Sequence, residues 1–272
     1  QASQEAESRN LELQVRTREA ELRAVRAQRE QELAARALEL ARSIQQRLLP
    51  PPRLDGPGFA VAARNLPAQF VAGDFYDAFL LPDGSLALVV ADVAGKGAGA
   101  SLIMASVKAM LPLVAASESV TGTLAALDRK LAGELAPREF VALCMARFDP
   151  GSRRVEIANA GLPDPYLIGR AGFVEALPVP GPRLPLGVRG DTAYASREVE
   201  MGPGDRLLLL SDGLPEAPTE SGEPLGYEEM ELLLDHVSDD PTEWLDALLE
   251  RHDRATADGL QDDVTALVLQ LA

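Results

Sequence analysis

The sequence predicts an α+β layered domain of mostly antiparallel strands, set behind one long N-terminal helix. Three observations carry this. Residues 3–48 contain neither Gly nor Pro, so all 22 Gly and 20 Pro fall beyond them. From Phe59 onward, short apolar runs alternate with turn chemistry: 78–81 and 86–93 flank Pro82-Asp83-Gly84, and 141–148 and 154–158 flank Asp149-Pro150-Gly151, which are hairpin signals. Helical segments come in pairs, 98–116 with 123–135 and 228–237 with 242–257. Hairpin strands plus paired helices predict sheets covered by helices. Further strands are expected at 166–168, 193–199, 206–210 and 264–271, and the Pro- and Gly-dense stretch 161–191 reads as a long flap.

The N-terminal segment, residues 1–49, reads as a helical arm and 50–272 as the domain. The arm is rich in Glu, Arg, Ala, Leu and Gln, all good helix formers, and Pro50, Pro51 and Pro52 end it. Its apolar positions run Leu11, Val15, Leu22, Val25, then Leu33, Ala37, Leu40, Ile44, Leu48. The spacing slips between Leu22 and Leu33, with Arg29 at a core-like position, as at a stutter in a coiled coil. The stripe is narrow and flanked by charge, which favours a parallel homodimer over a lone helix lying on its own domain.

Charge separates the two pieces. Residues 1–47 hold 9 Arg and 8 acidic residues, and the remainder holds 17 basic and 34 acidic ones, for a total of −16. Such a surface repels nucleic-acid phosphates and anionic membranes, and no apolar run is long enough to span a bilayer. The polar start QASQEAESRN lacks a signal peptide and a Met. The expectation is a cytoplasmic piece of a longer protein, with a sensor domain upstream. The one cysteine, Cys144, lies in the apolar run FVALCMARF and reads as a small core residue.

The chemical signal lies in where the aspartates stand. Asp92 ends LALVVAD, Asp212 ends RLLLLSD, Asp262 and Asp263 precede VTALVLQL, and Asp74 and Asp77 bracket Phe75-Tyr76. A carboxylate beside a buried strand is costly unless paired, and no Lys or Arg recurs at these four places. Carboxylates gathered without basic partners call for hard divalent cations. Asp is also ordinary turn chemistry, and Asp83-Gly84 and Asp258-Gly259 serve as internal controls that read as plain turns. The set therefore carries the argument, not any one member. After Asp92 comes Val93-Ala94-Gly95-Lys96-Gly97-Ala98-Gly99 and then a helix. Glycines let a backbone pass close to a ligand, and a helix N-terminus favours anions. A Walker loop is excluded, because the Gly-Lys-Ser/Thr order is absent.

The segments VAGDFYD (71–77), VADVAGKGAGASLIMA (90–105), FVALCMARFD (140–149), ANAGLPDPYLI (158–168), LPLGV (184–188), GDRLLLLSDGLPEA (204–217) and DDVTALVL (262–269) follow one another in this order. In that order the sequence resembles the metal-dependent protein phosphatases, in the branch of the sporulation stage II phosphatase E and the RsbU-like stress-response phosphatases. The resemblance spans about residues 45–272 and implies an αββα sandwich with two divalent metal ions, manganese or magnesium. It implies metal ligation by Asp74, Asp92 (bridging, with the Val93 carbonyl), Asp212 and Asp262, with Asp74 and Asp92 central to catalysis. It leaves Asp263 a further metal ligand, a support behind the ligands or the holder of an extra ion. It places Gly95, Lys96 and Gly97 at the substrate. Three places depart from the family pattern: NAGH reads Asn159-Ala160-Gly161-Leu162, SGKG reads AGKG, and FVTL reads Phe140-Val141-Ala142-Leu143.

The implied reaction is hydrolysis of phosphoserine or phosphothreonine by a metal-activated water, on a phosphorylated protein of the anti-sigma-antagonist type. His236 and His252 lie in the C-terminal helical region, away from a general acid's place. Two rivals are a catalytically silent binding module of the same fold and a nucleotidyl cyclase. The retained aspartates oppose the first, and missing purine- and triphosphate-binding elements oppose the second.

Overall fold

The computed structural model describes residues 2–95, 97–235, 238–257 and 259–272, with the side chains of 2–15 and of Ala98 left out. Contacts divide the chain into two compact units, Gln1–Ile44 and Gln45–Ala272.

The first unit is most of helix α1 (Ala2–Leu48). Along its described part Leu22, Val25, Leu33, Leu40 and Ile44 are all exposed. Its surface carries ion pairs one turn apart, Arg18–Glu21 and Arg23–Glu19, which add a few tenths of a kcal/mol each at most. Leu11 and Val15 of the predicted stripe lie outside the described side chains.

The second unit is an α+β sandwich. β1 (Arg53–Gly56), β2 (Phe59–Leu66), β7 (Tyr166–Ile168), β8 (Val174–Ala176), β10 (Arg206–Leu210) and β11 (Val264–Leu271) form one sheet in the order β1-β2-β11-β10-β7-β8. β3 (Phe75–Leu80), β4 (Leu86–Val93), β5 (Val141–Asp149), β6 (Arg154–Ala160) and β9 (Arg197–Glu200) form the other, in the order β3-β4-β5-β6-β9. Every strand pair in both sheets is antiparallel.

Alternation of side chains builds three core layers. In β4, Leu86, Leu88 and Val90 enter the core between the sheets, while Ala87, Val89 and Ala91 face α2 (Ala98–Ala115) and α3 (Val120–Ala132). In β10, Leu207 and Leu209 point between the sheets, while Leu208 and Leu210 meet Met230 of α4 (Tyr227–Leu232) and Trp244 of α5 (Pro241–Ala255). Both faces of these strands are buried, so they read in sequence as unbroken apolar runs. Phe59 and Phe148 meet edge to face across the sheets, 5.6 Å between centroids. Capping fixes the helix starts: Ser119 accepts from the Gly122 N–H, and Asp240 accepts from Thr242 and Glu243 with Pro241 in the first turn.

Three expectations need correction. The flap 161–191 is not all loop, since it holds β7 and β8 paired with each other. The helix expected over 228–237 is the short α4, and its expected last residues, His236 and Val237, lie outside the described residues. The strand expected at 193–199 is only Arg197–Glu200.

Candidate metal centre

Strand register gathers the aspartates at one end of both sheets. Phe75 pairs with Ala91, so Asp74, just before β3, stands opposite Asp92. In the other sheet Leu210 pairs with Ala266, and the Ser211 N–H continues the ladder to the Thr265 carbonyl at 2.9 Å. Asp212 therefore emerges beside Asp262 and Asp263.

Asp74 links the two sheet ends. It is 2 % exposed, and the hydroxyls of Ser211 and Thr265 are near enough to its carboxyl to lower its pKa. Each hydroxyl has its acceptor side filled, Ser211 Oγ by the Thr265 N–H at 2.9 Å and Thr265 Oγ1 by Asn65 Nδ2 at 2.8 Å, which frees the hydroxyl protons for Asp74. Asp74 Oδ2 is buried with no hydrogen-bond partner. Such an orphaned carboxylate oxygen is expensive and fits a site built for a cation. Burial first, and then the charge of Asp92, hold the Asp74 carboxyl well above its ordinary range against the two hydroxyls. Burial, then Asp92, Glu216 and Asp262, push Asp212 up to about 6. These carboxylates repel one another, as groups that share a cation do in its absence. As placed, no three Asp, Glu, His or Cys side chains among the described residues form a closed ligand set.

Asp263 stands apart. Expected among the ligands or behind them, it accepts the Ala68 N–H on Oδ1 and the Gly73 N–H on Oδ2, both at 2.8 Å. Both oxygens are taken up by the loop in front of Asp74. Asp77 also departs from the expectation that these carboxylates lack basic partners. It forms a nearly buried ion pair with Lys108 of α2, a partner hidden in sequence because it arrives from a helix. The Asp83-Gly84 control is a turn as expected, with Asp83 bonding Ser85 and Gly84 at φ 86°. Asp258 of the other control lies outside the described residues.

In the Gly-rich loop, Gly95 and Gly97 have φ of 104° and 82°, a left-handed backbone that favours glycine. Gly97 precedes α2 without a side-chain cap, so the first-turn N–H groups are not taken by a capping side chain. Lys96 lies outside the described residues. Gly73 packs against the same place: a Cβ on it would sit 2.8 Å from the Val93 carbonyl oxygen and 3.6 Å from Asp92 Oδ1.

Two clefts share Asp212. One, about 260 Å³, is lined by Glu216, His252, Thr256, Gln261 and Asp262. The other, about 380 Å³, is lined by Leu162, Asp164, Arg183, Glu216 and Tyr227. His252 is buried, its Nε2 lies 2.9 Å from the Leu214 carbonyl oxygen, and burial lowers its pKa. This is a packing role. Burial pushes the Cys144 thiol up to about 12, so it stays protonated. The NAGL departure is a turn closed by Asn159, which binds Leu162 and Pro163 through backbone, while Leu162 fills the core between the sheets. Sequence reasoning missed Asn65, Ser211 and Thr265. Their signal was a polar residue inside each of the apolar segments FAVAARNL, RLLLLSD and VTALVLQL.

The raised carboxyls set a pH dependence for the metal-free protein. For Asp212 the stabilisation is complete below the ordinary carboxyl range and is lost as pH rises through about 6. Asp74 acts in the same direction. Thermal unfolding in chelator should give a higher Tm near pH 5 than near pH 7.5, with a smaller difference in Asp212→Asn. The same difference in both proteins would contradict this.

The sequence pattern of the family described as Stage II sporulation protein E (SpoIIE) matches residues 82–272. The chain is 28% identical over 239 residues to Phosphoserine phosphatase RsbU of Bacillus subtilis (strain 168), covering 86% of this chain and 69% of that protein. It is 26% identical to Protein IcfG of Synechocystis sp. (strain ATCC 27184 / PCC 6803 / Kazusa), covering 85% of this chain but only 41% of that protein. The fold superposes on the SiaA-PP2C domain of Pseudomonas aeruginosa with a TM-score of 0.76 at 23% identity, over 89% of this chain and 98% of that one. No described helix is long and apolar enough to cross a membrane. The matched residues include β4, the SDG turn at Asp212 and the Asp262 pair, and they span well over half of the chain, so the chain belongs to the stage II sporulation protein E family, with the fold of a PP2C domain.

Proposed function

We propose that the domain hydrolyses phosphoserine or phosphothreonine on a regulatory protein of the anti-sigma-antagonist type. The observation that carries this reading is the buried, orphaned oxygen of Asp74 facing further carboxylates at the ends of both sheets. The likeness to an RsbU named as a phosphoserine phosphatase supports the substrate class. Asp74, Asp92, Asp212 and Asp262, with the Val93 carbonyl, would hold two divalent cations, manganese or magnesium. When bound, these supply a water activated at neutral pH and a clamp on phosphoryl oxygens. The chain's own residues do the rest. Asp263 fixes the loop before Asp74, Ser211 and Thr265 orient Asp74, and Gly95 and Gly97 keep the backbone near Asp92 bare for the phosphoryl group. Lys96 is placed by sequence at that loop. The acidic domain surface favours recognition by docking a folded partner over attraction to an acidic peptide.

The test is manganese-dependent phosphate release from a phosphoserine protein, beside a phosphotyrosine peptide and free nucleotide. The phosphoserine protein should be the fastest substrate. Faster hydrolysis of phosphotyrosine or nucleotide would overturn the assignment, and no release from any of them would leave a silent binding module.

The arm belongs to the same proposal. Its exposed apolar residues would be covered by a second copy in a parallel coiled coil. A shift of that coil at its stutter would act on α2 and α3, which follow Asp92. Sedimentation should give a dimer for the full chain and a monomer for one starting at Gln45, with different phosphatase rates. A monomeric full chain, or equal rates, would reject the arm as a regulatory coiled coil.

A further inference from the structure

We propose that Gln45 is a positioning residue for the metal centre, an inference that rests on the metal-dependent reading above. Gln45 lies in the last turn of α1, within the compact unit that holds the catalytic domain, and is 7 % exposed. A buried amide is costly unless both of its ends are satisfied. Here both ends go to one residue: Nε2 donates to the Ala72 carbonyl at 2.6 Å, and the Ala72 N–H donates to Oε1 at 2.9 Å. The side chain thus grips the backbone as a neighbouring strand would.

The next residue is gripped from the other side. The Gly73 N–H donates to Asp263, which also holds Ala68. The loop is therefore pinned at three backbone N–H groups and one carbonyl by two side chains from distant parts of the chain. It has little room to drift toward the site, because even one added Cβ on Gly73 would come within 2.8 Å of the Val93 carbonyl oxygen and 3.6 Å of Asp92 Oδ1. Asp74 follows at once. Its backbone carbonyl accepts from Asn65 at 3.3 Å, and the Ser211 and Thr265 hydroxyls stand beside its carboxyl. A shift of the loop away from Gln45 would open space beside Asp92 and turn Asp74 out of line. Tyr76 reinforces the same docking, its hydroxyl donating to the Pro50 carbonyl at 3.0 Å. Gln45 touches no proposed ligand atom. It acts through Ala72 and Gly73 on Asp74 and Asp92.

A purely structural role, fastening a helix end to the domain, would lower stability and leave ion binding alone. Positioning predicts the reverse weighting. The full chain is compared with Gln45→Met, which keeps length and removes both hydrogen bonds, and with Gln45→Glu, which keeps the acceptor and removes the donor. Manganese alone is titrated by calorimetry, hydrogen exchange is followed over residues 67–74, and turnover is measured on p-nitrophenyl phosphate. Gln45→Met should weaken manganese binding by about tenfold or more, as loss of a group supporting a metal ligand does. It should also speed exchange over 67–74 and recover kcat at saturating manganese. Gln45→Glu should move the same way, and it serves if Gln45→Met does not fold. Binding that depends on Asp92 but is unchanged in both Gln45 variants, with only Tm lowered, would overturn the proposal. Wild-type binding no tighter than that of Asp92→Asn would instead overturn the metal-centre reading itself.

Discussion

Replacing Asp92 with Asn is expected to reduce phosphatase turnover by about a thousandfold or more while leaving the fold intact. The scale follows from a cation clamp that supplies several kcal/mol of transition-state stabilisation, at 1.36 kcal/mol per factor of ten. The fold should survive because Asn keeps the shape of Asp and removes a charge. That charge is a named cause of the raised carboxyls at both Asp74 and Asp212. Metal-free Asp92→Asn should therefore melt no lower than the wild type at neutral pH, and its circular dichroism should be unchanged. Asp212→Asn should behave alike. Near-wild-type turnover in either variant would remove the mechanism, whereas lost activity with lost fold would show that these residues serve the core instead.

Gly213→Ala should damage the site through backbone alone. A Cβ at 213 would lie 1.9 Å from the Asp263 carbonyl oxygen, an overlap that no side-chain rotation relieves. The strand ends carrying Asp212 and Asp262 must then separate. Overpacking of this kind costs about 1–3 kcal/mol or more, and a domain of this size loses roughly 2–4 °C of Tm per kcal/mol. Manganese affinity should fall with it, because the two carboxylates move apart. Gly133→Ala is the control: the nearest atom to its Cβ would be 3.7 Å away, and its φ is −89°. It should leave Tm and affinity near the wild type. Equal behaviour of the two variants would show that the contact between Gly213 and Asp263 does not set the site.

What could be read from sequence follows from where the signals are local. β4, β10 and β11 were legible because both of their faces are buried, which leaves apolar runs that stop at a charge. The same runs point to Asp92, Asp212 and Asp262 as a set, since carboxylates recurring beside several buried strands without basic neighbours go beyond ordinary turn chemistry. β8 escaped because three residues with a half-exposed pattern carry no periodicity. The partner of Asp77 escaped because Lys108 belongs to a helix whose register sequence does not fix. The resemblance leaves Asp263 either a ligand, a support behind the ligands or the holder of an extra ion. Its bonds to backbone N–H groups at 68 and 73 depend on how two sheet ends meet, which no local pattern encodes. Gln45 reads as one more polar residue of a polar helix, and only the packed loop shows that it is buried.

The central claim is that Asp74, Asp92, Asp212 and Asp262 hold two divalent cations in one site. Anomalous diffraction from manganese-soaked crystals tests it most directly. The account predicts two manganese peaks at the ends of β4 and β10, with Asp92 contacting both and carboxylate oxygens at about 2–2.6 Å. Crystals with no manganese among these residues, or with the four carboxylates scattered more than about 8 Å from one another around it, would contradict the account.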